Sequence, residues 1–276
     1  MLNFNGELLP ANTFLISSEN RAYQYGDALF ETVKVQRNKI AFWEDHYFRL
    51  MASMRMLRMK IPMNFTLEFL QEEILKTVVA HSKTTSYRVR ISVSRKEGGL
   101  YTPLTNEIDY LIKVSENTFE TKDTFTIDIF KDFYNSSGLM STLKTTNRML
   151  NTVASIYAFE NDLDACILIN ERKGVVEVTN GNIFVVKDNI IKTPALTEGC
   201  IKGVVRKKII EIIHKNPDYT IEETVISPFE IQKADEVFIT NAIMGIQAVT
   251  HYRKKIFQTE IGAKLSKNLL VVEMTS

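Results

Sequence analysis

The chain has 276 residues, 45% of them hydrophobic, with 34 Lys and Arg against 33 Asp and Glu for a formal net charge of +1. That balance suits a globular chain with a real core and gives no broad electrostatic pull on nucleic acid or an acidic membrane, so an anionic ligand must be held by locally placed groups. Cys166 and Cys200 lack disulfide-scaffold or zinc spacing, no apolar run nears membrane-spanning length and no leader pattern opens the chain, so a cytoplasmic protein without a metal is expected.

Two short strands around Asn5 and Gly6 are expected to open the chain as a hairpin, because this dipeptide tolerates the positive φ angles of a tight turn. A strand follows at about 29–36. Trp43, Tyr47, Leu50, Met51, Met54 and Leu57 then recur at helical spacing, and Leu67, Leu70, Ile74, Leu75 and Val78 repeat the pattern after Pro62. Residues 87–93 alternate strictly, with Tyr87, Val89, Ile91 and Val93 on one face and Arg88, Arg90 and Ser92 on the other. Another strand runs from Asp109 to Val114, and the polar stretch after it marks a domain boundary: 1–116 as a small N-terminal α/β domain, 117–123 as linker and 124–276 as a larger C-terminal domain. Within the latter, strands are expected near 124–130, 165–169, 183–186 and 236–240, with helices near 147–160, 203–215 and 228–233. The last has a firm start, since Ser227, Pro228 and Glu230 combine a cap, a first-turn proline and a capping-box glutamate.

Three features carry chemistry. Lys144 is either an imine-forming amine or a solvated lysine. Gly203 opens either an anion-binding helix start, with the backbone of Val204 and Val205 donating, or an ordinary helix. Glu177 supplies the carboxylate that would keep a pyridine nitrogen protonated. Arg49 lies off the apolar stripe of its helix and four residues after Asp45, where a surface ion pair is the plain reading. Arg88 and Arg90 point the same way and either clamp a substrate carboxylate or line a solvated face. His46, His81, His214 and His251 show no triad or metal spacing and read as structural, and Met51, Met54, Met56 and Met59 read as core filling.

Taken together, 20–32 (NRAYQYGDALFET), 43–50 (WEDHYFRL), 144–148 (KTTNR), 177–184 (EVTNGNIF), 199–206 (GCIKGVVR) and 234–242 (ADEVFITNA) resemble the class IV aminotransferases. These are fold-type IV pyridoxal 5'-phosphate enzymes that include branched-chain aminotransferases, D-amino acid aminotransferases and aminodeoxychorismate lyases. The resemblance implies a two-domain α/β (α+β) fold with a C-terminal pseudo-barrel, in a homodimer with the site between its domains. It makes Lys144 the Schiff-base lysine and proton shuttle, Glu177 the ring-nitrogen partner, and Arg49 with the Val204 and Val205 amides the phosphate site. Arg148 falls near where branched-chain enzymes carry a tyrosine by the phenolic oxygen. Asn241 and Ala242 fall on a further cofactor-binding segment, Ala242 replacing the phosphate-contacting threonine of the branched-chain enzymes. Phe30, Arg88 and Arg90 are the candidate substrate-binding residues. The implied activity is transamination of a small α-amino acid, branched-chain or similar. The alternative is an aminodeoxychorismate lyase, towards which 94–101 (SRKEGGLY) and 241–244 (NAIM) lean, although Leu100 stands where the lyases carry an arginine. A more remote alternative is a non-catalytic binding protein that keeps the fold.

Overall fold

A computed structural model describes residues 1–13, 16–81 and 84–275. The chain divides into two compact units: Met1–Thr118 with Lys144–Asn147, and Phe119–Leu143 with Arg148–Ser276.

The first unit is one antiparallel sheet with helices on it. Its elements are β1 (Leu2–Phe4), β2 (Glu7–Leu9), α1 (Arg21–Tyr25), β3 (Ala28–Gln36), β4 (Lys39–Ile40), α2 (Trp43–Met56), α3 (Leu67–Val79), β5 (Ser86–Arg95) and β6 (Ile108–Glu116). The strand order is β2-β1-β6-β5-β3-β4. The opening hairpin forms as expected, with Asn5 at φ 52 and Gly6 at φ 91, because a two-residue turn matching strand twist needs both residues left-handed. Period-two alternation sends Tyr87, Val89, Ile91 and Val93 to the buried face, which also takes Leu29, Val33 and Val35 of β3. Against that face lie Leu50 and Met54 of α2 and Leu70 and Ile74 of α3, all buried. The five-residue α1 and the two-residue β4 were not expected; they are too short to carry periodicity, and Asn20 caps α1 by accepting from Tyr23 N.

The second unit is two five-stranded sheets around a shared core. It comprises β7 (Thr126–Ile129), α4 (Met149–Glu160), β8 (Ala165–Ile169), β9 (Val175–Val178), β10 (Asn182–Lys187), β11 (Ile190–Pro194), α5 (Val204–His214), β12 (Thr220–Thr224), α6 (Pro228–Lys233), β13 (Glu236–Asn241), β14 (Gly245–Val249), β15 (His251–Tyr252), β16 (Lys255–Ile256) and α7 (Glu260–Thr275). The orders are β12-β11-β10-β13-β14 and β16-β15-β7-β8-β9. Ile127, Ile167, Val178, Ile183, Val185, Ile239 and Val249, drawn from both sheets, meet in one core, which is the pseudo-barrel the motifs implied. Alternation sends Phe184 to the opposite face of β10, where it stacks on Phe238 at 4.9 Å. On the outer face of the other sheet, Phe130, Cys166 and Leu168 pack with Ala154 and Ala158 of α4. The capping box of α6 forms as read, Ser227 N donating to Glu230 Oε1 at 2.9 Å. Before β7, Lys122 N donates to Gln247 Oε1 at 2.9 Å and Phe125 N to Thr250 Oγ1 at 2.8 Å, so the polar stretch ends tied to this unit.

Candidate active site

Lys144 belongs to the first unit although its neighbour Leu143 belongs to the second. Residues 144–146 add an extended segment to the edge of β3: Phe30 N donates to Lys144 O at 2.9 Å and Thr146 N to Ala28 O at 3.0 Å. Asn147 Nδ2 then donates to Gly26 O at 3.2 Å. Glycine suits position 26, where φ is 63 and a Cβ would lie 2.2 Å from Asn147 Oδ1. This pairing sets Lys144 opposite Phe30, with the ammonium 4.4 Å from the ring centroid. Arg90 reaches the same ring from the neighbouring strand, its guanidinium 3.8 Å from the centroid. Both cations therefore rest on one aromatic ring, whose π electrons attract them. Arg90 Nε donates to Ser92 Oγ at 3.3 Å, and burial, then the neighbouring Arg88, push its pKa below the usual guanidinium range. Arg88 is exposed beside it on the same face of β5. Phe30, Arg88, Arg90 and Lys144 thus share one face of the sheet.

Arg49 is not the surface residue that its pairing distance from Asp45 suggests. Its side chain is 12% exposed, and Nε and Nη2 fork onto the two oxygens of Glu31 in β3 at 2.7 and 2.5 Å. His46, one turn earlier in α2, brings Nδ1 within 2.8 Å of Glu31 Oε2. Burial raises the Glu31 pKa, but the Arg49 charge and the hydrogen bonds from His46 and Arg49 outweigh it and hold the carboxyl at about 2. Burial drives the His46 pKa down against the pull of Glu31. The imidazole is therefore neutral, with its proton on Nδ1 donated to Glu31. Glu31 escaped the sequence reading, yet its signal was there: a carboxylate between Leu29 and Val33 on the inward face of a strand.

In the second unit Glu177, on β9, is 3% exposed and its Oε2 accepts from Ile201 N at 2.9 Å. Asn182 Nδ2 holds the carbonyl of the same residue at 2.9 Å, so the segment leading to α5 is gripped at both ends of Ile201. Gly203 caps α5 without any side-chain hydrogen bond, and Val204 and Val205 are its first, buried residues. Their N–H groups have no acceptor within the helix, and the dipole there favours an anion. Arg148 caps α4, with Nη2 on Leu143 O at 2.5 Å. Burial lowers its pKa while the charge of Glu177 raises it, which places the guanidinium in that carboxylate's field. Asn241 is committed to its own turn, accepting from Ile243 N at 2.9 Å and Met244 N at 2.8 Å and donating to Asn180 O at 2.9 Å, with Ala242 inside that turn. Among the described residues no three His, Cys, Asp or Glu cluster as a metal site, and no helix is long and apolar enough to cross a membrane.

Residues 28–252 match the family model described as amino-transferase class IV. The chain is 24% identical over 239 residues to the aminodeoxychorismate lyase of Vibrio harveyi, covering 84% of this chain and 85% of that protein. It is 26% identical to the D-alanine aminotransferase of Listeria monocytogenes, covering 90% and 86%, and 27% identical to a probable branched-chain-amino-acid aminotransferase of Aquifex aeolicus, covering 94% and 86%. The fold matches that of the branched-chain aminotransferase from Thermoproteus uzoniensis with norvaline, at a TM-score of 0.90, 20% identity and 100% and 95% coverage. It also matches the Thermobaculum terrenum branched-chain amino acid aminotransferase in its PLP form, at a TM-score of 0.86, 19% identity and 100% and 94% coverage.

Proposed function

Since the chain belongs to the class IV aminotransferases, we propose that it is a pyridoxal 5'-phosphate-dependent aminotransferase acting on a small α-amino acid. One observation carries the reading: the Lys144 amine is held on the Phe30 ring by backbone pairing to β3, with a guanidinium on the same ring. A solvated surface lysine needs no such support. The donor set also fits the cofactor. An amine suits an aldehyde, the buried Glu177 carboxylate suits a protonated ring nitrogen, and Arg49 with an uncapped helix start suits a phosphate.

Pyridoxal phosphate, when bound, draws electrons from the substrate's α-carbon into its ring. The residues of this chain do the rest. Glu177 holds the proton on the ring nitrogen, and its tie to Ile201 N keeps it oriented. Arg49 and the amides of Val204 and Val205 hold the phosphate. Arg88 and Arg90 take the substrate's carboxylate. With the cofactor in place, the Lys144 amine would take the substrate's α-proton and return a proton to the carbon that was the cofactor's aldehyde, acting as base and then acid.

The test is to record the absorption spectrum of the purified protein with pyridoxal phosphate, then add single L- and D-amino acids with 2-oxoglutarate, and separately aminodeoxychorismate. Borohydride treatment should fix the cofactor covalently to Lys144, and one amino acid should yield its keto acid. Pyruvate and 4-aminobenzoate from aminodeoxychorismate, without amino transfer, would select the lyase reaction, which the match to the Vibrio harveyi lyase keeps in play. Absence of any covalent cofactor would leave the non-catalytic reading.

A further inference from the structure

We propose that Glu31 is the positioning residue of the phosphate site: it fixes the direction of the Arg49 guanidinium, and His46 braces it in turn. The inference rests on the reading of Arg49 as a phosphate ligand. Glu31 is 1% exposed, on the inward face of β3 between Leu29 and Val33, where an apolar side chain would serve the core. Isolated burial of a carboxylate is costly, and even a buried ion pair adds little to stability compared with apolar packing. What the pair does provide is direction. Fork-to-fork bonding through Nε and Nη2 fixes both the plane and the heading of the guanidinium, which a flexible arginine would otherwise lose.

His46 completes the arrangement. Its ring is 1% exposed, its Nδ1 bonds Glu31, and its Nε2 has no hydrogen-bond partner among the described residues. Among the described residues, the ring's hydrogen bonding is therefore spent on Glu31. With three donors on its two oxygens, the carboxylate cannot swing, and neither can the arginine that depends on it. The WEDHYFR segment thus places His46 and Arg49 one turn apart on α2 so that both meet one carboxylate of the sheet.

The experiment compares the affinities of pyridoxal 5'-phosphate and pyridoxal, which differ only in the phosphate, by quenching of the single tryptophan, Trp43, and by equilibrium dialysis. Glu31→Asp keeps the charge but withdraws it by one methylene. It is expected to cut the preference for the phosphorylated form by about tenfold, the worth of one charge-assisted hydrogen bond, while leaving pyridoxal affinity within about twofold. In an Arg49→Ala background the same substitution should change nothing further, because it acts through Arg49. An unchanged preference, equal losses for both ligands, or an equal additional loss without Arg49 would each overturn the proposal. If Glu31→Asp does not fold, His46→Gln takes its place, with an expected loss of preference of about threefold, and no loss would overturn the proposal as well. Wild-type protein that binds both ligands equally would instead refute the phosphate assignment of Arg49 and take this inference with it.

Discussion

Gly203→Ala isolates one contact at the start of α5. The backbone there, φ −66 and ψ 139, is open to any residue, so alanine meets no conformational strain and should even gain a little from a less entropic unfolded chain. The obstacle is steric: the new Cβ would lie 2.0 Å from Asn182 Oδ1 and 3.2 Å from its Cγ. Asn182 can yield only by rotating, which abandons its 2.9 Å bond to Ile201 O at a site where Asn182 itself is 5% exposed. Ile201 O keeps the Gly203 N–H at 2.8 Å, so the cost falls on the buried Asn182 amide, which loses its acceptor at about 1–3 kcal/mol, and the entropic gain of roughly 0.4–1 kcal/mol offsets part of it. The net loss of about 1–2 kcal/mol corresponds to a fall in melting temperature of roughly 2–8 °C. Circular-dichroism melts of Gly203→Ala, Asn182→Ala and the double variant measure it. In the Asn182→Ala background the glycine substitution should be neutral or stabilising. Equal destabilisation in both backgrounds would show that the clash is not the cause and refute the reasoning.

The Glu31 and His46 shifts predict acid lability. The Glu31 pKa is lowered from 4.5 to about 2, so its contribution is full above 4.5 and disappears as pH falls towards 2; for this buried group the gap is worth about 3 kcal/mol. The His46 pKa is lowered from 6.5, so its contribution also holds above 6.5 and erodes below it. Melts from pH 7 to pH 3 should therefore fall more steeply for wild type than for Glu31→Gln, and parallel curves would contradict the assignment. Arg90→Ala should raise KM for the amino acid by about tenfold, as loss of a charged hydrogen bond does, with kcat changed less; an unchanged KM removes Arg90 from the substrate's carboxylate. Lys144→Ala should abolish turnover and borohydride-fixed cofactor while leaving the fold intact by circular dichroism, and normal activity would end its catalytic assignment.

Long periodic elements were legible in the sequence and short or uniformly buried ones were not. The stripe from Trp43 and the alternation at 87–93 located α2 and β5 because one face of each is apolar. Val175–Val178 is buried at all four positions, so it has no alternation to read. Ile190–Pro194 ends in proline, Thr220–Thr224 is largely polar, and the strands of 245–256 are short. Helix α7 carries Gly262 in its first turn and a Leu269–Val272 run that reads as strand. At the site, Lys144 and Glu177 stood out only through family motifs, since neither residue type is rare. Arg49 was misleading because helical spacing shows a partner within the helix and is blind to Glu31 across the sheet. The Gly203–Asn182 approach had no sequence signal beyond the glycine itself.

The Lys144–Asn147 segment also has a consequence for how the molecule is made. A nascent chain that has emerged only to Thr118 holds every named strand and helix of the first unit, yet the edge of β3 at Ala28–Phe30 still lacks the segment that hydrogen-bonds it. That exposed edge must wait for more than twenty further residues, a delay of seconds at ordinary rates of synthesis, and an open edge is a template for wrong pairing. Closure of the edge and delivery of the Lys144 amine are one event. A chain stalled or cut before residue 144 therefore loses its reactive group and the final strand pairing of its first unit together.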